Sequence, residues 1–94
     1  MINLSSEHQI IVSMLLKQYL PGVPVWAFGS RVLSTSSEGS DLDLVAHLSE
    51  EGTLTTLREA FRESNLPFSV ELLDWHHIPE HFRQEILKKY EVLQ

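Results

Sequence analysis

Between Phe28 and Val45 the chain reads F-G-S-R-V-L-S-T-S-S-E-G-S-D-L-D-L-V, and its chemically capable residues stand at the two ends of that stretch. In an extended chain residues i and i+2 point the same way, so Asp41 and Asp43 present two carboxylates on one face. Like charges held that close repel unless something positive sits between them, and a divalent cation is the usual occupant. Asp43 is also bordered by Leu42, Leu44 and Val45, surroundings in which an acid is costly without a partner. At the other end, Gly29 lets the backbone turn tightly and approach a ligand with no Cβ in the way. Ser30 offers a hydroxyl and a backbone N–H to phosphate oxygens, or caps a short helix beginning near Arg31. Arg31 has two readings, charge stabilisation on phosphates and pairing with Glu38. Acids suited to a metal, together with a turn suited to phosphate, amount to nucleotide chemistry.

The elements that must position these residues can be read along the chain. Ser6-Glu7-His8-Gln9 has the form of a capping box. Ile11, Met14 and Leu15, with Val12, Leu16 and Tyr19, then give a helical apolar face to about Leu20, where Pro21-Gly22 stops it. Val23 to Phe28 reads as an inner strand with Trp26 and Phe28 on one face and Val25 and Ala27 on the other. Pro24 must lie near its beginning. The small polar run from Ser34 to Ser40 reads as an exposed loop. Asp41 to Leu48 follows as a strand with Leu42, Leu44 and Ala46 turned away from the aspartates. Glu50-Glu51-Gly52 then reads as a turn.

Leu54, Leu57 and Phe61 mark a helix from Thr53 to about Ser64, with Arg58, Glu59, Arg62 and Glu63 on a solvated face. Phe68 to Asp74 is a third strand, in which Glu71 is again an acid among apolar neighbours. Pro79 suits the first turn of a last helix, whose apolar side is Phe82, Ile86, Leu87 and Tyr90. Val92-Leu93 can add a short extended end. His47 reads as a strand-end side chain, and the adjacent His76 and His77 cannot both face one metal, so no zinc role is assigned.

The 94 residues make one small domain whose core stabilises it only marginally, so a bound ligand or a partner, whether a second copy or another chain, can add noticeably. An apolar share of 43% argues against disorder. No window approaches the roughly 18 apolar residues of a membrane span, and the N-terminus lacks the plan of a signal peptide. There is no cysteine, hence no disulfide or thiolate site, and a cytoplasmic location is the expectation. The net charge of −6, with seven scattered Lys and Arg, argues against long nucleic acid as a partner.

The pattern Gly-Ser, ten intervening residues, then Asp-x-Asp resembles the signature of the polymerase-β-type nucleotidyltransferase superfamily. The short length, the F-G-S-R-V opening and the S-D-L-D-L wording resemble its MNT (minimal nucleotidyltransferase) branch. One departure is Ser34, where the family often has Gly. The resemblance implies an α/β (α+β) fold, a small mixed β-sheet flanked by helices, with residues 1–94 forming one nucleotidyltransferase domain. It also implies a third carboxylate from the third strand. Glu71 matches that position, although Asp is more usual there, and Asp74 is the fallback.

In the scheme the resemblance implies, Asp41 and Asp43 bridge two magnesium ions, Glu71 joins them on the acceptor side, and Gly29 and Ser30 grip the β- and γ-phosphates of ATP. MNT proteins typically pair with a HEPN toxin and can attach AMP to its tyrosine, so the implied function is that of an antitoxin modifying its partner. Two alternatives stand beside it: a catalytically idle module that neutralises a partner by contact, and a small-molecule nucleotidyltransferase of the aminoglycoside type. The shortness of the chain, with no evident acceptor-binding segment, weighs against the last.

Overall fold

The structure is a computed structural model that describes residues 2–33, 35, 39–48 and 52–94. Helix α1 spans Ser6–Tyr19 and is capped one residue earlier than the sequence suggests: Ser5, in extended conformation, accepts from the His8 N–H at 3.2 Å. The Gln9 side-chain amide, expected to turn back on the helix start, donates to the Leu4 carbonyl. Val12 and Leu16 carry the buried face of α1, while Met14, expected in the core, is 64% exposed.

Strand β1, Val25–Phe28, begins after Pro24, whose missing N–H keeps it out of the ladder. A single short turn of helix, α2 (Ser30–Leu33), follows Gly29. Strand β2 is Leu42–Ala46, so Asp41 lies just before it. Helix α3 (Gly52–Arg62) carries the chain over to strand β3, Val70–Asp74. A 3₁₀ turn at Trp75–His77, invisible to periodicity, precedes helix α4 (Glu80–Lys88), for which Pro79 is the N-cap. Strand β4 is Glu91–Val92. Ser34 and most of the loop after it, together with Glu50 and Glu51 of the expected turn, lie outside the described residues.

The four strands form one mixed sheet in the order β3-β2-β1-β4. β1 runs antiparallel to β2 and β4, and β2 runs parallel to β3, as the α3 crossover requires. Side-chain alternation then sorts the residues. Val25, Ala27, Leu42, Leu44, Ala46 and Leu72 pack beneath α1 and α3 in the main core with Val12, Leu16, Leu54, Leu57 and Phe61. The opposite face is smaller: Phe28 and Val45 meet Ile86 of α4, with Trp26, Leu73 and Phe82 packed around them. Leu87, expected on the apolar side of α4, is exposed, and Tyr90 lies beyond the end of that helix, partly exposed with its ring stacked on Trp26.

Arg58 corrects the reading of α3 as a helix with a merely solvated outer face. Its guanidinium donates through Nε and Nη2 to the Leu72 carbonyl at 3.1 and 2.7 Å. Since β3 is an edge strand, that carbonyl points away from the sheet, and Arg58 blunts the edge against further strand pairing. His47, just past β2, is packed among Trp26 and Trp75 with its Nε2 buried and lacking a hydrogen-bond partner among the described residues. Burial, then the neighbouring His76, lowers its pKa and favours the neutral ring.

Candidate active site

The site forms where β1 ends. Gly29 adopts φ 80°, a left-handed conformation that glycine reaches without penalty. Its carbonyl accepts from the Val32 and Leu33 N–H groups and so starts α2. The register explains what the turn faces: Phe28 is paired with Asp43 across the antiparallel ladder, which brings Gly29 against the aspartate. A Cβ added at Gly29 would overlap Asp43 Oδ2 and lie 3.1 Å from its Cγ. The absence of a side chain is therefore what lets the Gly-Ser turn and the carboxylate share this space. Ser30 stands half-buried at the first position of α2, its N–H at the helix start where no intrahelical acceptor exists.

The third acid follows from the parallel pairing. Asp43 is the register partner of Glu71, so the two side chains leave the sheet side by side on the face that also carries Phe28 and Val45. Burial raises the Asp43 pKa above the usual carboxylate value, and the charges of Glu71 and then Asp41 raise it further. Asp43 thus senses both other acids. Among the described residues no three acid or histidine side chains enclose a ready-made metal cage. Mutual repulsion is the physical reason to expect such carboxylates to spread when nothing positive lies between them. Their oxygens are hard donors that suit a magnesium-like cation, and a positive charge there would relieve the strain on Asp43.

Asp74 has other work. It is 6% exposed, is the register partner of Ala46 on β2, and caps the 3₁₀ turn by accepting from the His76 N–H at 3.1 Å. Its second oxygen lies 2.8 Å from His77 Nδ1. A place at the end of a strand makes a helix-capping or turn role as natural for Asp74 as metal binding, and the structure shows the capping contact.

Arg31 also has a task that its position in the motif does not disclose. It is 5% exposed; Nε and Nη2 donate to the Ser40 carbonyl at 3.0 and 2.7 Å, and Nη1 donates to the Asn3 carbonyl at 2.8 Å. The guanidinium lies over the Phe68 ring, 4.2 Å from its centroid. It therefore ties the N-terminal segment to the residue before Asp41 and to the approach to β3. The pairing with Glu38 falls outside the described residues. Arg31→Met should lower stability by about 2–4 kcal/mol, because two carbonyls lose their donors in a part-buried site. A urea titration measures this, and Arg31→Lys should recover only part of the loss, since lysine keeps the charge without the fork.

A phosphate-ready turn on one inner strand, with acids on its antiparallel neighbour and on the parallel strand beyond, is the layout of a nucleotidyltransferase. The chain belongs to the polymerase beta nucleotidyltransferase family, which its residues 11–94 match. It is 46% identical over 97 residues to the probable protein adenylyltransferase MntA of Haemophilus influenzae, a match that spans 99% of this chain and 84% of that one. Solved structures share the fold. One is a toxin–antitoxin complex with AMP-PNP, at a TM-score of 0.75 and 20% identity over 92% of this chain and 72% of the other. Another is the tri-AMPylated Shewanella oneidensis HEPN toxin in complex with MNT antitoxin, at a TM-score of 0.57 and 17% identity over 92% of this chain and 68% of the other. No helix among the described residues is long and apolar enough to cross a membrane.

Proposed function

We propose that this protein is a metal-dependent nucleotidyltransferase acting as the antitoxin of a HEPN/MNT pair, transferring AMP from ATP to a tyrosine hydroxyl of its HEPN partner. The observation that carries this reading is the register that sets Glu71 beside Asp43 and Gly29 against it, in a chain 46% identical to a probable protein adenylyltransferase. Asp41, Asp43 and Glu71 are the residues that would hold magnesium, two ions in the full scheme. When bound, the metal supplies positive charge at the triphosphate and at the acceptor oxygen.

The chain's own residues divide the remaining work. Gly29 gives the triphosphate close access to the backbone, and the Ser30 hydroxyl and N–H donate to its β- and γ-phosphate oxygens. Arg31 acts one step back, holding the Ser40–Asp41 junction through the Ser40 carbonyl rather than reaching for phosphate. Glu71, exposed at the edge of the site, is placed to receive the proton of the acceptor. In the transfer the tyrosine Oη attacks the α-phosphorus and a new P–O bond forms. The bond from that phosphorus to the α–β bridging oxygen breaks, pyrophosphate leaves, and the tyrosine proton passes to the Glu71 carboxylate.

The test is to incubate the co-expressed partner with magnesium and α-labelled ATP and to follow label on the protein. Labelled partner with the wild type, and none with Asp43→Asn, supports the enzyme. Neutralisation of the partner with no transfer by either would support action by contact alone.

A further inference from the structure

Residues 2–4, ahead of α1, have no part in the transfer scheme, yet they are held firmly. Ile2 is buried in the main core and Leu4 packs against it. The Leu4 N–H donates to the Ile2 carbonyl at 3.1 Å, and the Leu4 carbonyl accepts from the Gln9 amide. Between these anchors Asn3 meets Arg31 twice. Its N–H donates to the Arg31 carbonyl at 2.8 Å, and its carbonyl accepts from Arg31 Nη1 at 2.8 Å. The first of these bonds matters to α2, which has only four residues. Nucleating a lone helical turn is unfavourable, so so short a piece depends on contacts from outside itself. Carbonyls at a helix end lack intrahelical donors, and Asn3 supplies one to Arg31.

We infer that residues 2–4 are a positioning strap for the nucleotide site, holding the Gly29–Ser30 turn and Asp41 in register with each other through Arg31. For its effect on nucleotide the inference rests on the transferase reading above. The two halves of the site come from different elements, since the turn opens α2 and Asp41 stands just before β2. One strap bond fixes the backbone of Arg31, next in sequence to Ser30. The other fixes its side chain, whose Nε and Nη2 grip the carbonyl of Ser40, next in sequence to Asp41. Loss of the strap removes a donor from α2 and an acceptor from a nearly buried guanidinium at once. The phosphate donors and the metal-holding carboxylate would then shift independently. A displacement on the order of 1 Å is enough to spoil a geometry that must be met on both sides. The strap acts through Arg31, not on the nucleotide itself.

The experiment compares Asn3→Pro, which lacks the N–H that reaches Arg31, with Asn3→Ala, which lacks the same side chain but keeps both backbone groups. Ile2→Ser, which weakens the core anchor, is a second route to the same loss. Two quantities are measured on the full chain: amide hydrogen exchange, residue by residue, and the affinity for AMP-PNP with magnesium. The Val32 and Leu33 amides, which donate to the Gly29 carbonyl, should exchange about tenfold faster in Asn3→Pro than in Asn3→Ala. The Leu93 amide, bonded to Val25 across the sheet, should exchange alike in both. AMP-PNP affinity should fall about tenfold in Asn3→Pro, and Ile2→Ser should move both quantities the same way. Unchanged exchange at Val32 and Leu33, or an equal rise at Leu93 as global destabilisation would give, overturns the strap. So does local loosening that leaves AMP-PNP affinity intact. A wild type that binds no AMP-PNP overturns the transferase reading instead, and the exchange pattern still decides whether the strap holds α2.

Discussion

Asp43→Asn is expected to reduce AMP transfer about a thousandfold or more, a loss of ~4 kcal/mol of transition-state stabilisation, and yet to yield a more stable metal-free protein. Both effects have one source. Asp43 is partly desolvated and stands beside two other acids, so its folded-state pKa lies above the ordinary value of 3.8. Between those two values the folded protein holds a proton that the unfolded chain has released. The stability this group contributes is therefore complete below the unfolded pKa and is lost as pH rises through the folded one. Asparagine carries no charge to desolvate and none to repel, so the variant should lack this fall with pH. Thermal melts across the acidic range, without metal, measure the difference. Magnesium should raise the wild-type melting temperature by relieving the same repulsion, and should do so far less in the variant.

Gly29→Ala is expected to cost about 1–2 kcal/mol from the backbone alone, since φ there is 80° and the left-handed region penalises a Cβ. The larger consequence is local. The new methyl would occupy the space of Asp43 Oδ2, so the carboxylate must swing out of line with Glu71. Transfer should fall about a hundredfold, in keeping with what a displacement on the order of 1 Å does to aligned groups. Unlike Asp43→Asn, this variant keeps all three charges, so the pH dependence of the melting temperature should be weakened by the displacement rather than abolished, while activity is lost. Steady-state transfer rates beside the melts separate the two mechanisms.

The parts of this site that were legible in the sequence are those whose signal is local. An acid inside an apolar run is conspicuous, which is why Asp43 and Glu71 stood out, and a two-residue spacing sets Asp41 with Asp43 without knowledge of the fold. That Leu42, Leu44 and Ala46 face the main core followed from the period of two, and Leu54, Leu57 and Phe61 from the helical period. The register that sets Glu71 beside Asp43 instead depends on how two strands align across a helical crossover, which no short pattern encodes. For Arg31 the sequence leaves two readings open, charge stabilisation on phosphates and pairing with Glu38, because only its neighbours along the chain can be seen. Its acceptors on Asn3 and Ser40 are brought to it only by the tertiary fold. Arg58 reads as solvated from the sequence alone, since the Leu72 carbonyl it covers belongs to another element. The sequence points to Ser6 as the cap of α1 where the structure has Ser5, because the two are chemically equivalent and only backbone conformation distinguishes them.

The central claim is that Glu71 works with Asp41 and Asp43 as one catalytic set beside the Gly29–Ser30 turn. Its most direct test is the intact mass of the HEPN partner after incubation with magnesium, ATP and either the wild type or Glu71→Gln. A partner heavier by whole AMP units is expected with the wild type and an unmodified one with Glu71→Gln, while Asp74→Asn still modifies it. A partner modified equally by Glu71→Gln, or lost as a substrate only with Asp74→Asn, would contradict it.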